Sequence, residues 1–323
     1  MDNYVPQLDI VVVNWNSGEY LERCLASLQL ACMRDPGLIA RVIVVDNAST
    51  DDSMRINGVE DMSGLPLRII ENIDNRGFGS ACNQGAQAGT APFILFLNPD
   101  AAVCVDALAA TVRFMQAPSH ATVGICGVRL IDDEGKTAPS CSRFPSLRIY
   151  LADALGLDRF LPRYFQAQSM AEWPHDETRH VDQVMGAYFC IRRPLFEQLG
   201  GFDERFFVYS EEVDLSYRAH LMGYSSMFLA DVAAYHKGCV SSGNVKAKRL
   251  FYYLRSRMLY SYKHFHPGAA AVFSFVTLCL EPLSRLAYAG LGRRSLSGVV
   301  ETLKGFGYLW AWFPQYLLFR KTR

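Results

Sequence analysis

Phe93-Ile94-Leu95-Phe96-Leu97-Asn98-Pro99-Asp100-Ala101 is the stretch from which the fold can be read. Five consecutive apolar residues, two of them aromatic, make a short buried strand, too short for a helix of ordinary length. The run stops at Asn98-Pro99-Asp100, because proline cannot continue a central strand. Asp100 therefore stands at the C-terminal end of a buried strand, where open α/β sheets bind their ligands. A hard cation such as Mg²⁺ is held by one or two protein carboxylates together with substrate phosphates, so the stretch has the form of a metal–diphosphate site. Asn, Pro and Asp are equally the residues of a plain strand-terminating turn, and the stretch alone fits both readings.

On the N-terminal side the pattern repeats. Leu8 to Val13, apolar apart from Asp9, reads as a first buried strand, and Asn14-Trp15-Asn16-Ser17-Gly18 is turn chemistry. Tyr20, Leu21, Cys24, Leu25 and Leu28 then line one face of a helix. Val42 to Val45 is a second strand with Asp46 at its tip, a candidate contact for a sugar or base hydroxyl. Ser49 or Thr50 suits a helix cap, and Asp51 and Asp52 suit a first helical turn. Leu67 to Ile70 is a third strand. Asn75 to Gly85 superficially matches a dinucleotide-binding glycine pattern, but Cys82 takes the last glycine position and the segment follows the third strand, so that fingerprint is rejected. The segment instead starts a helix, with Arg76 near a phosphate or base. A further helix runs from about Val105 to Met115. Four alternations of strand and helix imply a mainly parallel sheet covered on both faces.

On the C-terminal side Val123 to Leu130 is another strand. From Thr137 to His180 the periodicity fades among four prolines and many aromatic and basic residues, which reads as a lid or binding loop or as a partly disordered insertion. Val181 to Ile191 is strand-like, with Gly186-Ala187 in its middle; glycine inside a strand marks close approach of a ligand or another backbone. A short helix from Arg192-Arg193-Pro194 ends at Gly200-Gly201. Ser210 is placed to cap a helix whose first turn holds Glu211, Glu212 and Asp214. These acids are either a well-formed helix start or include a general base, given a carboxylate whose pKa is raised by burial or by neighbours such as Glu204. Ser226 to Leu229 reads as a last short strand, followed by Asp231 and then His236. That histidine is either a satisfied structural group or a metal ligand.

The 323 residues are 50% hydrophobic and 20% charged with zero net charge, enough for one large or two modest domains and giving no preference for nucleic acid. Nine cysteines without a C-x-x-C pair argue against a disulfide framework or a zinc site. The N-terminal residues carry no basic, apolar leader pattern, so a cytoplasmic location is expected.

Taken in order, V-V-V-N-W-N (11–16), V-V-D-N-A-S-T-D (44–51), N-R-G-F-G-S-A-C-N-Q-G (75–85), L-F-L-N-P-D-A (95–101), G-G-F-D-E-R-F-F (200–207), E-E-V-D-L-S-Y-R (211–218) and the late His236 resemble the family 2 glycosyltransferases, in their bacterial rhamnosyltransferase-like branch, from about Leu8 to Ser242. The resemblance implies an α/β fold of the GT-A type, a nucleotide-sugar-binding domain over 1–242 with a nucleotide half to about 130 and an acceptor half beyond it. Residues 243–323 are then a C-terminal helical segment for a membrane surface or for oligomerisation. Carried over residue by residue, Asn14 and Asp46 contact the ribose and base with Arg76 nearby, and Asn98 lies along the nucleotide-sugar; Gly186 joins the nucleotide-sugar contacts through the close approach a strand glycine allows. Asn98 and Asp100 stand where the family has D-x-D; with Asn in the first place, binding of Mg²⁺ or Mn²⁺ falls on Asp100, with His236 as the other protein ligand. Glu212 occupies the usual base position one methylene longer than the family's Asp, with Glu211 as rival. The implied reaction is inverting transfer to a polyprenyl-diphosphate-linked or other glycan acceptor in surface polysaccharide assembly. dTDP-L-rhamnose is the expected donor, with UDP-hexose or galactofuranose donors as alternatives. A non-catalytic subunit keeping the fold is the reading from another class. A nucleotidyltransferase is disfavoured because N-W-N-S-G after the first strand has no basic residue.

After Ser242 the chain turns basic and aromatic. Lys246, Lys248, Arg249, Arg255, Arg257 and Lys263 are interleaved with Phe251, Tyr252, Tyr253, Leu254, Met258, Leu259 and Tyr260. Gly268 to Leu280 is apolar, but Glu281-Pro282 and Arg285 interrupt it short of a membrane span. Such a segment suits in-plane attachment to the cytoplasmic face of an inner membrane, or else a helical core or homodimer interface.

Overall fold

A computed structural model describes residues 6–55, 64–238, 246–292 and 296–322. The strands are β1 (Leu8–Asn14), β2 (Ile39–Asp46), β3 (Leu67–Glu71), β4 (Phe93–Leu97), β5 (Ala101–Val103), β6 (Val123–Ile131), β7 (Thr137–Ala138), β8 (Cys141–Ser142), β9 (Arg179–Val181), β10 (Gln183–Val184), β11 (Tyr188–Arg192) and β12 (Ser225–His236). The helices are α1 (Tyr20–Arg34), α2 (Phe78–Gln87), α3 (Ala107–Gln116), α4 (Leu147–Leu155), α5 (Leu157–Phe160), α6 (Arg193–Gln198), α7 (Glu211–Leu221), α8 (Lys246–His264), α9 (Pro267–Phe275), α10 (Glu281–Gly292) and α11 (Leu296–Phe319). The chain divides into two compact units, one of residues 1–143, 170–203 and 212–241, the other of 144–169, 204–211 and 242–323.

The first unit is built on one mixed sheet of order β3-β2-β1-β4-β11-β6-β12-β5. β3, β2, β1 and β4 run parallel, as does the β6–β12 pair, while β11 and β5 pair antiparallel to their neighbours. This is the α/β fold expected of the strand–helix alternation. The nearly continuous apolar runs follow from it, because successive side chains point to opposite faces and both faces are covered. Ile10, Val12, Val42, Val44, Leu95 and Leu97 pack beneath α1 and α3. Val11, Val13, Ile43, Val45, Ile94 and Phe96 pack on the α2 side. Full burial of such a side chain stabilises by about 1.5–3 kcal/mol. Asp9 interrupts the first run because it holds a buried pair: its Oδ2 accepts from Arg193 Nη2 at 2.8 Å and from the Ala91 amide at 2.7 Å, joining β1 to the start of α6.

α2 is locked to the turn before α7 by one side chain. Asn83 Nδ2 donates to the Phe202 carbonyl (2.9 Å) and its Oδ1 accepts from the Phe202 amide (2.8 Å). A Cβ on Gly201, which has φ of 75°, would fall 2.6 Å from Asn83 Oδ1. Asn83→Ala orphans both Phe202 groups, and since a buried unsatisfied group costs about 1–3 kcal/mol, the midpoint of chemical unfolding is expected to fall accordingly at unchanged slope.

Two stretches differ from their sequence reading. The last strand does not stop at Leu229. β12 runs to His236, because a bulge between Leu229 and Ala233 absorbs the exposed Asp231 and lets the ladder with β6 resume at Ala233↔Arg129. The segment read as one long loop from Thr137 to His180 is short strands at both ends with α4 and α5 between. Its prolines flank elements instead of breaking them. Ser146, after Pro145, caps α4 through the Ile149 amide, and Gly156 ends it at φ 73°.

In the second unit α8 is the central helix. Every residue from Leu254 to Ser261 is buried. Arg257, 1% exposed, bonds Asp153 Oδ2 (2.9 Å), Glu281 Oε1 (3.2 Å) and the Tyr150 carbonyl (2.9 Å). Its guanidinium also lies 4.6 Å from the Tyr150 ring centroid. The basic, aromatic stretch after Ser242 is thus largely core: acids distant in sequence neutralise its arginine charge, and Lys248 and Arg249 at its start remain exposed.

Candidate active site

The parallel register pairs Asn14 with Asp46, so β1 and β2 deliver both to the C-terminal edge of the sheet. Asn14 is fully buried. Its Nδ2 lies within hydrogen-bond distance of Asp46 Oδ1 (2.8 Å), Ser49 Oγ (3.0 Å) and Ser53 Oγ (2.9 Å), and its Oδ1 accepts from the Ser17 hydroxyl. Asp46 also accepts from the Ser49 hydroxyl (2.6 Å) and amide (3.0 Å). Asn14 therefore sits behind the Asp46 carboxylate and fixes its orientation. Ser49 serves this network and Asp51 caps the short turn Asp52–Met54, its carboxyl held below the usual range by the Ser53 hydroxyl and the Gly18 and Ser53 amides against an opposing effect of burial. Next along the chain, Asn47 Nδ2 donates to the Gly77 carbonyl (3.2 Å), and Gly77 turns the chain into α2 at φ 85°. Arg76 stands exposed on that turn, without a partner among the described residues. Asn14, Asp46 and Arg76 are so gathered at one edge.

The sheet order places a topological switch between β1 and β4: the chain moves outward through β2 and β3, then returns to the other side of β1. The Asn98-Pro99-Asp100 turn leaves β4 at this point and continues at once into β5. β5 pairs antiparallel with the end of β12, with His236 opposite Ala101. That register brings His236 Nε2 to 3.4 Å from Asp100 Oδ1, the two side chains being 12% and 9% exposed. The Lys237 amide donates to the Asp100 carbonyl (3.1 Å), and its ammonium pairs with Asp133. Lys237 and Asp133 were not singled out from the sequence, since only the continuation of β12 past Asp231 aligns them.

Asn98 is tied to the opposite wall, its amide donating to the Ala187 carbonyl at 3.1 Å. Gly186 precedes it in the connection between β10 and β11, not inside a strand as the sequence had it. A Cβ there would lie 4.0 Å from both Glu212 Cγ and Phe78 Cε1. Glu212 is thus a neighbour of the segment that touches the Asn98–Asp100 turn. It is half-buried, and its Oε2 is closed off from solvent without a hydrogen-bond partner among the described residues. Burial pushes its carboxyl above the ordinary 4.5, against the opposing bonds of the Glu212 and Val213 amides at the helix start.

The other acids of this cluster have different settings. Asp214, fully buried, accepts from Arg218 Nε at 2.8 Å, and that guanidinium also holds the Leu199 and Gly201 carbonyls, so the pair braces the turn at Gly200-Gly201. Glu211 is buried as the first residue of α7. Ser210 does not take the extended conformation of an N-cap; Tyr209 and Ser210 both lie in the left-handed region at φ 69° and 66°, and the Ser210 hydroxyl bonds the Tyr150 phenol. Two such non-glycine residues store strain of about 1–3 kcal/mol each immediately before the acids.

Asp100 and His236 fit a divalent cation. Ligands about 2.1 Å from an octahedral ion and adjacent on it are about 3 Å apart, close to the 3.4 Å observed. No group of three or more His, Cys, Asp or Glu suited to a metal occurs among the described residues. An ion here would complete its shell from water and substrate oxygens.

A sequence profile described as glycosyl transferase family 2 matches residues 9–198. The N-acetylglucosaminyl-diphospho-decaprenol L-rhamnosyltransferase of Mycobacterium tuberculosis is 31% identical over 78% of this chain and 83% of that protein. The rhamnosyltransferase WbbL of Escherichia coli is 27% identical over 52% of this chain and 61% of its own length. Among solved structures, the mannosyltransferase PcManGT from Pyrobaculum calidifontis in complex with GDP-Man and Mn²⁺ superposes with a TM-score of 0.54 at 19% identity, covering 98% of this chain and 88% of that one. Staphylococcus aureus TarS 1–349 in complex with UDP-GlcNAc gives 0.52 at 18% identity, covering 93% and 80%. The profile spans more than half of the chain, and with it the strand-end site described above identifies the protein as a glycosyltransferase of family 2, in its rhamnosyltransferase-like branch.

Proposed function

We propose that the enzyme moves L-rhamnose from dTDP-L-rhamnose onto a hydroxyl of a polyprenyl-diphosphate-linked N-acetylglucosamine, with inversion at the anomeric carbon, at the cytoplasmic face of the membrane that holds the acceptor. The donor and acceptor rest on the relatedness to the mycobacterial rhamnosyltransferase over most of both chains. The observation that carries the chemistry is Glu212 beside Gly186, whose Oε2 is closed off from solvent without a hydrogen-bond partner among the described residues and whose raised affinity for a proton suits a general base. In this reading Glu212 takes the proton of the acceptor hydroxyl as that oxygen attacks the anomeric carbon and the bond to the nucleoside diphosphate breaks on the opposite face. Asp46, oriented by Asn14, bonds the nucleoside, and Arg76 supplies positive charge near base or phosphate. Asp100 and His236 would hold Mg²⁺ or Mn²⁺, which when bound neutralises charge growing on the departing diphosphate. Asn98 and Gly186 line the path between the two groups.

The test is nucleoside-diphosphate release from a panel of dTDP-, UDP- and GDP-sugars with a synthetic polyprenyl-diphosphate N-acetylglucosamine present. Release from dTDP-L-rhamnose alone, dependent on acceptor, is the expected result. Release from a UDP-hexose or a galactofuranose donor in its place overturns the sugar assignment, and an absence of donor binding by calorimetry overturns the enzymatic reading.

A further inference from the structure

We propose that the second unit carries a membrane-docking face formed by the outer side of Pro267–Tyr288, extended by Phe160–Tyr164 and by the end of α11, and that its occupant is the surface of an anionic lipid bilayer. The proposal rests on the reading of the acceptor as lipid-linked and says which surface meets the lipid.

Pro267–Tyr288 runs as one helical stretch of 22 residues through a π-helical segment, Val276–Leu280. In the sequence, Glu281 and Arg285 break its apolar run. In the fold they do not reach its outer side: Glu281 is fully buried against Arg257, and Arg285 reaches back to Glu281 at 2.7 Å. None of the exposed residues from Pro267 to Tyr288 carries a charge, and Phe275 and Leu283 are 60% and 64% exposed. A helix packed on a water-soluble domain ordinarily shows charged and polar groups on its open side, so this side is built for a non-aqueous neighbour. Most of this apolar stretch is not buried, unlike a helix at the centre of a core.

Two further segments adjoin it. The Arg159 guanidinium lies 5.1 Å from the Tyr288 ring centroid, and the exposed Phe160 and Tyr164 follow it on the same segment. The Trp310 indole of α11 donates to the Leu278 carbonyl at 3.0 Å, and α11 ends in the exposed Leu317-Leu318-Phe319 followed by Arg320 and Lys321. The exposed charges within 157–164 and 317–322 are all cationic: Arg159, Arg163, Arg320 and Lys321. Apolar side chains edged by Tyr, Trp and cations match an interface with anionic headgroups. The excess of exposed cations on both margins, with only the half-buried Asp158 among them, opposes pairing with a second copy through the same face. The middle of α8 is not part of this face, since its Arg255 and Arg257 are internal.

Flotation of the full-length protein with extruded vesicles of phosphatidylcholine, with and without one quarter phosphatidylglycerol, reads this directly and needs neither donor nor acceptor, so it is independent of whether the enzyme is a rhamnosyltransferase. The wild type is expected to float with the anionic vesicles, less at high salt, and Phe275→Glu with Leu283→Glu is expected to reduce the floating fraction at least tenfold. Unchanged thermal unfolding of the variant shows that its fold is intact; should it unfold, Phe160→Glu with Phe319→Glu is the second test of the same face. No flotation of the wild type, flotation equal in both folded variants, or a dimer by analytical ultracentrifugation that these variants convert to monomer would each overturn the assignment.

Discussion

Glu212→Gln is expected to lower kcat for sugar transfer by about 10²–10⁴-fold, the range for loss of a general base, while donor affinity measured by calorimetry changes little. Gln keeps the size of the side chain and the packing beside Gly186, so the loss reports the proton and not the shape. The same substitution should raise stability at neutral pH, which it would not do for a carboxylate held in an ion pair. The sign follows from the direction of the shift. Burial raises the folded-state pKa of Glu212 above its ordinary 4.5, so its contribution to stability is complete below that value and is lost as pH rises through the folded-state value. Glutamine loses nothing over this window. The difference in Tm between variant and wild type should therefore be near zero at pH 4 and grow in favour of the variant on the alkaline side. In the wild type the ascending limb of kcat/KM against pH should sit above the ordinary carboxylate range. Full activity in Glu212→Gln, with the loss appearing in Glu211→Gln, would transfer the role to Glu211.

Asp100→Ala should remove about 10²–10³ of kcat together with the dependence on Mg²⁺ or Mn²⁺, since charge stabilisation by a bound cation supplies several kcal/mol and each 1.36 kcal/mol is tenfold. His236→Ala should lower the affinity for the ion more than the rate at saturating metal, because Asp100 and the diphosphate oxygens still hold it. The measurement is turnover against metal concentration for the three proteins after chelation. An Asp100→Ala enzyme that retains wild-type metal activation would show that the 3.4 Å pair with His236 is structural only.

Much of the first unit could be read from residue pattern alone. β4 ends at Leu97, where the buried run meets Asn98-Pro99, and β1 to β3 and α1 to α3 lie within a few residues of their expected spans. Local chemistry sufficed there because each element is a single buried run closed by turn residues. It did not suffice where a residue answers to a partner far along the chain. Asp231 reads as a turn, yet it is the outward residue of a bulge, which hid the continuation to His236 and the pairing that brings this histidine to Asp100. Arg255 and Arg257 fit a membrane-surface helix as well as a helical core. The acid opposite Arg257, Asp153, belongs to a segment with no regular pattern, so nothing near α8 in sequence announces its burial. Asn14 was visible as a site residue, but its position behind Asp46 follows only from the parallel register. The raised carboxyl of Glu212 depends on burial, which is not a property of the motif.

The pairing of β5 with β12 has a thermodynamic consequence. Two donors on flexible segments would have to surrender conformational freedom each time a cation arrived. Here the Ala101–His236 register and the Lys237–Asp100 backbone bond hold both donors in place without an ion. In the proposed metal role the entropy of assembling this chelate is borne when the strands pair, so an incoming ion displaces water and little else, and the bite between the donors is inherited from the peptide backbone.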